Sequence, residues 1–409
     1  MSRSTTFVIA GAGLAGAKTA EALRDNGFDG RIVLFGDEER LPYERPPLSK
    51  EFLAGKKSLS EFTVHPPEWY RDHDVDLRLG TTITAIDRHQ NAVTLPDGEA
   101  VPYHKLVLAT GSRSRRPKLS GADANGVHYL RSFEQSEALD AVLTKGARLA
   151  VVGAGWIGLE VAATARNRGV QVTVIDTARL PLLAALGPEA AQVFADLHRE
   201  HGVDLRLESG VKEIATDGGT ATGVMLSDGD QVAADAVLVA VGAVPNVELA
   251  EAAGLTMAEG GVAVDASLRS SDPDIFAVGD IAAADNPLLG TRIRTEHWAN
   301  ALKQTAVAAA AMMGKDATYT ELPYFFTDQY DLGMEYVGHS AGYQRVVFRG
   351  DVAGREFVVF WLDGDNRVLA GMNVNVWDVL DDVKALIRSK TPVDPDTLSS
   401  SGQALSALV

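Results

Sequence analysis

The sequence predicts an α/β chain: two parallel-sheet βαβ domains followed by an α+β C-terminal domain on an antiparallel sheet. Three observations predict it. Two glycine-rich turns, Gly11-Ala12-Gly13-Leu14-Ala15-Gly16 and Gly153-Ala154-Gly155-Trp156-Ile157-Gly158, each follow a short apolar run and open a stretch of helical periodicity. A second pair of apolar runs, Leu106 to Gly111 and Val237 to Gly242, ends at glycine near the close of each half, so duplication of a whole domain accounts for both echoes. Beyond Tyr330 the apolar period changes to that of short strands.

Taken in order, Thr6 to Ala10 reads as a buried strand, Leu14 to Asn26 as a helix stopping near Gly27, and Arg31 to Phe35 as the next strand. The same order recurs from Arg148 to Asp176, with Val172 to Ile175 closing the second unit. Ile275 to Asp280 is another buried strand, and Trp298 to Met313 a long alanine-rich helix; both need a sheet to join, and the first domain is the natural host. Strand-like segments follow at Leu332 to Val337, Arg345 to Phe348, Phe357 to Leu362 and Val368 to Val374, with Asp363-Gly364-Asp365-Asn366 as a turn. A short amphipathic helix is predicted over about Val376 to Ile387, and a frayed tail from Ser399 to Val409.

Length and composition bound the function. A chain of 409 residues exceeds what one hydrophobic core usually spans, which predicts two or three domains. Hydrophobic residues make up 46% and charged residues 23%, the proportions of a soluble globular protein rather than a disordered one. A formal net charge of -17 makes the average surface repel nucleic acid and anionic membrane, so neither is expected as a partner. No apolar run approaches membrane-spanning length, and the first, Phe7 to Ala12, is too short for a signal-peptide core. With Cys 0 the chain carries no disulfide, thiolate metal site or cysteine-ligated iron-sulfur cluster. A cytoplasmic setting is the simplest expectation.

A lone GxGxxG is a weak signal, and many are tight turns; here the flanking strands and helices decide. Gly11 and Gly153 permit the sharp turn off the strand, Gly13 and Gly155 let a pyrophosphate approach the backbone, and Gly16 and Gly158 allow close helix packing. The helix N-termini supply N–H groups and a positive dipole to phosphates. Asp37 and Asp176 each lie about 20 residues beyond the third glycine, the spacing of a ribose-binding acid, although either could be a solvated loop residue. Two Rossmann-like dinucleotide-binding domains on one chain are therefore expected. His198-x-x-His201 lies on a helix-like stretch without an acidic or thiol companion, so no metal site is expected.

On these residues the chain resembles the NADH-dependent ferredoxin reductases that serve oxygenases and cytochromes P450. The resemblance runs over nearly the whole length. It rests on Gly11 to Gly16, Pro46-Pro47-Leu48-Ser49-Lys50, Ala109-Thr110-Gly111, Gly153 to Glu160, Gly242 with Pro245-Asn246, Ala277-Val278-Gly279-Asp280, Glu296-His297-Trp298 and Thr327-Asp328-Gln329-Tyr330. It implies a glutathione reductase-like arrangement: residues 1–112 and 242–322 as a discontinuous FAD domain, 113–241 as the NADH domain and 323–409 as a C-terminal interface domain. FAD would be held by Gly11, Gly13, Leu14, Ala15, Gly16, Asp37, Arg45, Lys50, Ile83, Ala109, Thr110, Gly111, Arg131, Gly279, Asp280, Glu296, His297 and Trp298. NADH would be held by Gly153, Gly155, Trp156, Ile157, Gly158, Glu160, Asp176 and Gly242. The helix beginning at Trp298 would aim its N-terminal dipole at the flavin pyrimidine edge and stabilise negative charge there.

Lys50 and Glu160 are the residues the resemblance places beside the reactive flavin edge. Lys50 would stabilise electron-rich flavin, and Glu160 would hold the lysine and orient the nicotinamide. Hydride transfer needs stacking and distance above all, because the cofactors perform the bond chemistry. The plain alternative is a solvated lysine after a Pro-Pro turn and a helix-surface glutamate. Asp176 would repel a 2′-phosphate, which predicts NADH over NADPH, with the nearby Arg179 as a contrary sign. Relatives on this scaffold that reduce disulfides need a thiol beside the flavin. Without cysteine, electrons must leave the flavin directly, which suits single steps to a separate iron-sulfur protein, and the resemblance implies that this partner is a [2Fe-2S] ferredoxin. Many members carry Trp where this chain has Phe326, which keeps an aromatic surface on the flavin side without the indole N–H. Arg113-Ser114-Arg115-Arg116-Pro117-Lys118 and Arg292-Ile293-Arg294 are candidate docking patches for an acidic ferredoxin, or ordinary solvated surface.

The expectation is thus an NADH:ferredoxin oxidoreductase, monomeric with a homodimer as the alternative. A rubredoxin reductase or NADH oxidase on the same scaffold, or a non-catalytic NADH-sensing interaction flavoprotein, are the competing readings.

Overall fold

In the computed structural model, which describes residues 5–408, the chain divides into two compact units. The first comprises the stretch up to Glu44, Leu59–Arg113 and Val244–Phe325. The second comprises Arg45–Ser58, Ser114–Ala243 and the stretch from Phe326 onward. As predicted, the architecture is mixed α/β, with parallel dinucleotide-binding sheets and an antiparallel C-terminal sheet.

The first unit is organised on a five-stranded parallel sheet in the order Ile275–Ala277, Lys105–Leu108, Thr6–Ala10, Arg31–Phe35, Val75–Arg78. The strand Ile275–Ala277 rejoins this sheet beside Lys105–Leu108, so the host expected for it is the one it finds. Its central strands are buried on both faces: Val8, Ile9, Ile32, Val33, Leu106 and Val107 are fully enclosed, which explains their unbroken apolar sequence. The helices Leu14–Asp25 and Trp298–Met312 pack against each other over this core.

The second unit repeats the plan in the order Asp204–Arg206, Gln171–Ile175, Arg148–Val152, Ala236–Val239, Val127–His128, again all parallel. The correspondence extends to single bonds: Gly11 N donates to Phe35 O at 2.8 Å and Gly153 N to Ile175 O at 2.8 Å. The same unit carries a five-stranded sheet in the order Tyr324–Gln329, Leu332–Gly338, Val368–Val374, Glu356–Leu362, Arg345–Asp351. Its ladders are antiparallel, with Trp361, Phe357 and Phe360 fully buried on it.

Two local expectations are corrected. The helix predicted from Val376 begins at Leu380, because Asn375 (φ 50) and Asp378 (φ 63) take left-handed backbone that a helix cannot continue through. Asn375 is fixed there by its side chain, which accepts from Gly333 N at 2.8 Å and donates to Asp331 O at 3.2 Å. The tail from Ser399 is not frayed over its described part, while Val409 lies outside the described residues. Leu398 and Leu405 are buried, and the Arg349 guanidinium donates to the carbonyls of Leu398, Ser400 and Gln403.

Candidate functional site

The glycine turns divide their labour in both units. Gly11 (φ 115) and Gly153 (φ 109) adopt left-handed backbone, and a Cβ there would stand 2.3 Å from the carbonyl oxygen of Ala109 or Ala240. A Cβ at Gly16 would lie 1.9 Å from Gly11 O, and one at Gly158 2.2 Å from Gly153 O, so helix and strand approach as only glycine permits. Gly13 and Gly155 differ: a Cβ at either meets nothing within 4 Å. The fold does not need glycine there. Both are helix N-caps without a side-chain cap, leaving first-turn N–H groups directed outward. Space beside the second glycine plus uncapped donors is the cradle a pyrophosphate requires.

In the first unit Leu14 and Ala15 open the helix, and a Cβ on Gly279 would sit 3.4 Å from that of Ala15, so the Gly279-Asp280 turn lies against the glycine loop. Gln304, on the helix Trp298–Met312, accepts from Gly279 N at 2.7 Å. Arg294 donates to Asp280 O at 3.0 Å and to Glu296 at 2.7 Å, tying that turn to the approach to His297 and Trp298. Burial pushes the His297 imidazole down to about 4 against the pull of Asp280, and its Nδ1 is buried without a partner. A neutral ring with an unmet nitrogen suits a site that a polar ligand completes. Thr110 hydroxyl donates to Asn246 O at 2.7 Å and Asn246 Nδ2 to Thr110 O at 2.8 Å, while Asn246 N donates to Gly111 O at 2.9 Å. Asn246 thereby fixes the Ala109-Thr110-Gly111 strand end. Ile83 is buried in the same core, and Asp37 is exposed. Gln304 and Arg294 had no local sequence signal for these roles.

In the second unit Asp176 braces the glycine turn: its Oδ2 accepts from Ala154 N at 2.7 Å and its Oδ1 from Ala178 N at 2.8 Å. The equivalent place in the first unit is Gly36, where a Cβ would come 2.5 Å from the Cβ of Ala12, and the acid stands one residue later at Asp37. The two turns therefore differ in where the acid stands. Two bonds leave the Asp176 carboxylate free acceptor capacity for a hydroxyl pair. Trp156 packs its ring edge-on against Phe194 at 5.7 Å, and Ile157 is 41% exposed on the same helix turn. Gly242 (φ 101) accepts from Arg115 N at 2.9 Å.

Lys50 and Glu160 meet in this unit. Pro46 and Pro47 preset a 3-10 turn, Pro46–Ser49, which ends at Lys50. Three bonds pin the segment: Thr164 hydroxyl to Ser49 O at 3.0 Å, Ser136 hydroxyl to Leu48 O at 2.7 Å, and Arg168 to Leu53 O at 2.7 Å. Glu160, 6% exposed, accepts from Ser49 Oγ at 2.5 Å, from Thr327 Oγ1 at 2.7 Å and from Lys50 Nζ at 3.4 Å. A carboxylate has about four acceptor positions, so roughly one remains for a ligand N–H. Lys50 Nζ also stands 4.4 Å over the Phe326 ring, and the cation is thus held between a carboxylate and a π face. The solvated-lysine alternative fails, because both side chains are buried.

A family model described as pyridine nucleotide-disulphide oxidoreductase matches residues 5–305 of this sequence. The chain belongs to that family. A second model, described as reductase C-terminal, matches residues 324–409. Among the relatives of this oxidoreductase, the anthranilate 1,2-dioxygenase system ferredoxin-NAD(+) reductase component of Burkholderia cepacia is 44% identical over 397 residues, covering 96% of each chain. Putidaredoxin reductase of Pseudomonas putida is 40% identical over 414 residues, covering 100% of this chain and 98% of that protein. The solved covalent complex of putidaredoxin reductase with putidaredoxin matches with a TM-score of 0.96 at 38% identity, covering 100% of this chain and 98% of that one.

This member of the family of pyridine nucleotide-disulphide oxidoreductases has Cys 0. Ser49 and Lys50 are both engaged with Glu160. Of the residues expected to hold FAD, Arg45, Lys50 and Arg131 fall in the second unit, where Arg45 donates to Arg131 O at 2.5 Å. Four of the six basic residues in the two runs have acidic partners. Arg113 pairs with Glu248 at 2.6 Å, Arg116 with Asp123 at 3.2 Å and Arg292 with Asp285 at 2.8 Å, and Arg294 is occupied as above. Among the described residues no helix is long and apolar enough to cross a membrane.

Burial also pushes His198 down from 6.5 to about 4. The unfolded chain takes up this proton below about 6.5 and the folded chain only near 4, so stability falls as pH drops through that window, by roughly 3 kcal/mol over its width. His198→Phe is expected to flatten that acid slope, read as thermal unfolding midpoints across the same window.

Proposed function

We propose that this oxidoreductase takes electrons from NADH through FAD and passes them singly to a [2Fe-2S] ferredoxin that feeds a cytochrome P450 or Rieske-type oxygenase. The observation that carries the reading is the Glu160 carboxylate with Lys50, in the unit of the second glycine turn, on a chain with Cys 0. When bound, the flavin accepts a hydride from the nicotinamide and releases its electrons one at a time.

The chain's own residues bind, aim and shield. Gly13 and Gly155 admit the two pyrophosphates, FAD at the first turn and NADH at the second, and the uncapped helix N-termini donate to their oxygens. The remaining acceptor position of Glu160 takes a carboxamide N–H and so fixes which face and end of the nicotinamide is presented. Lys50, immobilised by Glu160 and Phe326, supplies a fixed positive charge for the electron-rich flavin. Asp280 and the Trp298 helix N-terminus serve the ribitol and pyrimidine end. Residues 1–112 and 242–322 form the FAD domain in this reading, 113–241 the NADH domain and 323–409 the interface domain. The relatives named above supply electrons to dioxygenase and putidaredoxin systems by their names, which supports a ferredoxin as acceptor.

The test is steady-state NADH oxidation with purified [2Fe-2S] ferredoxins. Ferredoxin reduction well above the rate of oxygen consumption supports the reading; rapid oxygen consumption alone makes the chain an oxidase, and slow oxidation with a long-lived charge-transfer band makes it a sensor. Asp176 carries the nicotinamide preference: kcat/KM is expected to favour NADH over NADPH at least about tenfold, since a 2′-phosphate would meet a carboxylate. Asp176→Ala should erase most of that preference and raise KM for NADH, because the turn loses its brace at Ala154. Comparable kcat/KM values in the unaltered chain would contradict this assignment.

A further inference from the structure

Glu160 stands at the end of a chain of hydrogen bonds that crosses the second unit and ends on the His198-x-x-His201 pair. Thr327 Oγ1 reaches Glu160 Oε1 at 2.7 Å, Gln329 Nε2 reaches Thr327 Oγ1 at 3.3 Å, His198 Nε2 reaches Gln329 Oε1 at 2.8 Å, and Tyr330 OH reaches His198 Nδ1 at 3.4 Å. Thr327, Gln329 and His198 are each 1% exposed or less. Tyr330 is half-buried and stacks on His201 at 3.7 Å, so the chain runs from a packed aromatic edge inward.

Its polarity follows from donor counting. A carboxylate only accepts, so Thr327 must donate its single proton to Glu160. Thr327 Oγ1 is then the acceptor for Gln329, which turns the amide NH2 toward Thr327 and its oxygen toward His198. That oxygen needs a donor, so His198 is protonated on Nε2 and bare on Nδ1, where the Tyr330 hydroxyl faces it. Burial raises the Tyr330 hydroxyl, which stays a donor, and lowers His198, which stays neutral. Every proton along the line points at Glu160. The charged and titratable groups at the other end are Lys50, on the segment Arg45–Ser58, and Asp328, whose side chain feels Lys50.

We propose that His198 and Gln329 are positioning residues for Glu160: they lock the Thr327 hydroxyl into donation and so set which carboxylate lone pair is left for the nicotinamide. The inference rests on the function proposed above for Glu160. Removing the Thr327 donor should lower the reaction rate about tenfold, and loosening it by removal of His198 severalfold.

The test uses the full chain loaded with its flavin and has two readouts. Nitrogen-15 NMR of the histidine rings should show His198 protonated on Nε2, and Glu160→Gln, which places a possible donor at the chain's end, should shift His198 toward a mixture of tautomers. In stopped-flow reduction by NADH, Thr327→Val should lower the limiting rate about tenfold with the NADH dissociation constant changed less, Thr327→Ser should restore it, and His198→Phe should lower it severalfold. An Nδ1-protonated His198 in the unaltered chain overturns the proposal, as do Thr327→Val and His198→Phe rates within about twofold of the unaltered chain. If Thr327→Val does not fold, the tautomer and the Thr327→Ser rate still decide. Should Glu160→Gln leave flavin reduction unchanged while the tautomer is as stated, the function assigned to Glu160 fails and the chain of bonds stands.

Discussion

Glu160→Gln is expected to slow reduction of the bound flavin by NADH by about 100-fold, with Lys50→Met costing a similar or somewhat smaller factor. The carboxylate accepts from Ser49, Thr327 and Lys50 and is buried, so the amide cannot satisfy all of these donors and keep the same free acceptor position. Misaiming the nicotinamide by a fraction of an ångström is enough for a loss of this size. Lys50→Met keeps the length of the side chain but removes the charge and the contact with Phe326. Flavin content should change little, because neither residue belongs to the glycine turn that would receive the FAD pyrophosphate, while the unfolding temperature should fall, because either change leaves a buried polar group without its partner. Stopped-flow absorbance of the flavin under anaerobic conditions measures the effect. Rates within about threefold of the unaltered chain for both variants would remove the pair from the mechanism.

The second large effect separates two glycines three positions apart. Gly155→Val should leave folding and flavin content intact, since a Cβ there meets nothing within 4 Å beyond its chain neighbours, yet abolish productive NADH binding by filling the place of the pyrophosphate. KM for NADH should rise by about 100-fold or saturation be lost. Gly158→Val should instead destabilise the second unit by several kcal/mol, because its Cβ would enter the space of Gly153 O at 2.2 Å and neither backbone segment can retreat. Thermal unfolding and NADH titration of the two variants distinguish a ligand cradle from a packing contact. Equal destabilisation by both would mean that the second glycine also serves the fold.

Much of this was legible in the sequence because it is written locally. The glycine spacings, the apolar strands and the late strand Ile275–Ala277 all come from short runs whose period or turn chemistry is set by neighbours in the chain. The helix expected at Val376 started late because two residues in left-handed backbone, Asn375 and Asp378, carry a constraint that helical periodicity does not express. The tail looked frayed because Ser and Ala say nothing of the Arg349 side chain that binds its carbonyls.

At the site the limits are sharper. Lys50 and Glu160 were reached through resemblance, not through spacing, since the two lie 110 positions apart. Thr327, Gln329 and His198 carry no local sign of acting together, because their bonds join residues up to 167 positions apart. His198 with His201 looked like a rejected metal pair; its meaning came only with Gln329 opposite one ring nitrogen and Tyr330 opposite the other. Asp176 was expected as a ribose-binding acid from its spacing, and its bonds to Ala154 and Ala178 show that it also builds the loop beside the second turn.

The central claim is that electrons enter from NADH and leave singly without a thiol. Anaerobic double-mixing stopped flow tests it most directly: the flavin-loaded chain is mixed with one equivalent of NADH and then with two equivalents of oxidised [2Fe-2S] ferredoxin. Flavin absorbance is expected to bleach in the first mix and return in the second, with two ferredoxins reduced for each NADH consumed. A flavin that bleaches but never returns its electrons to any ferredoxin offered, or one that NADH does not bleach, would contradict it.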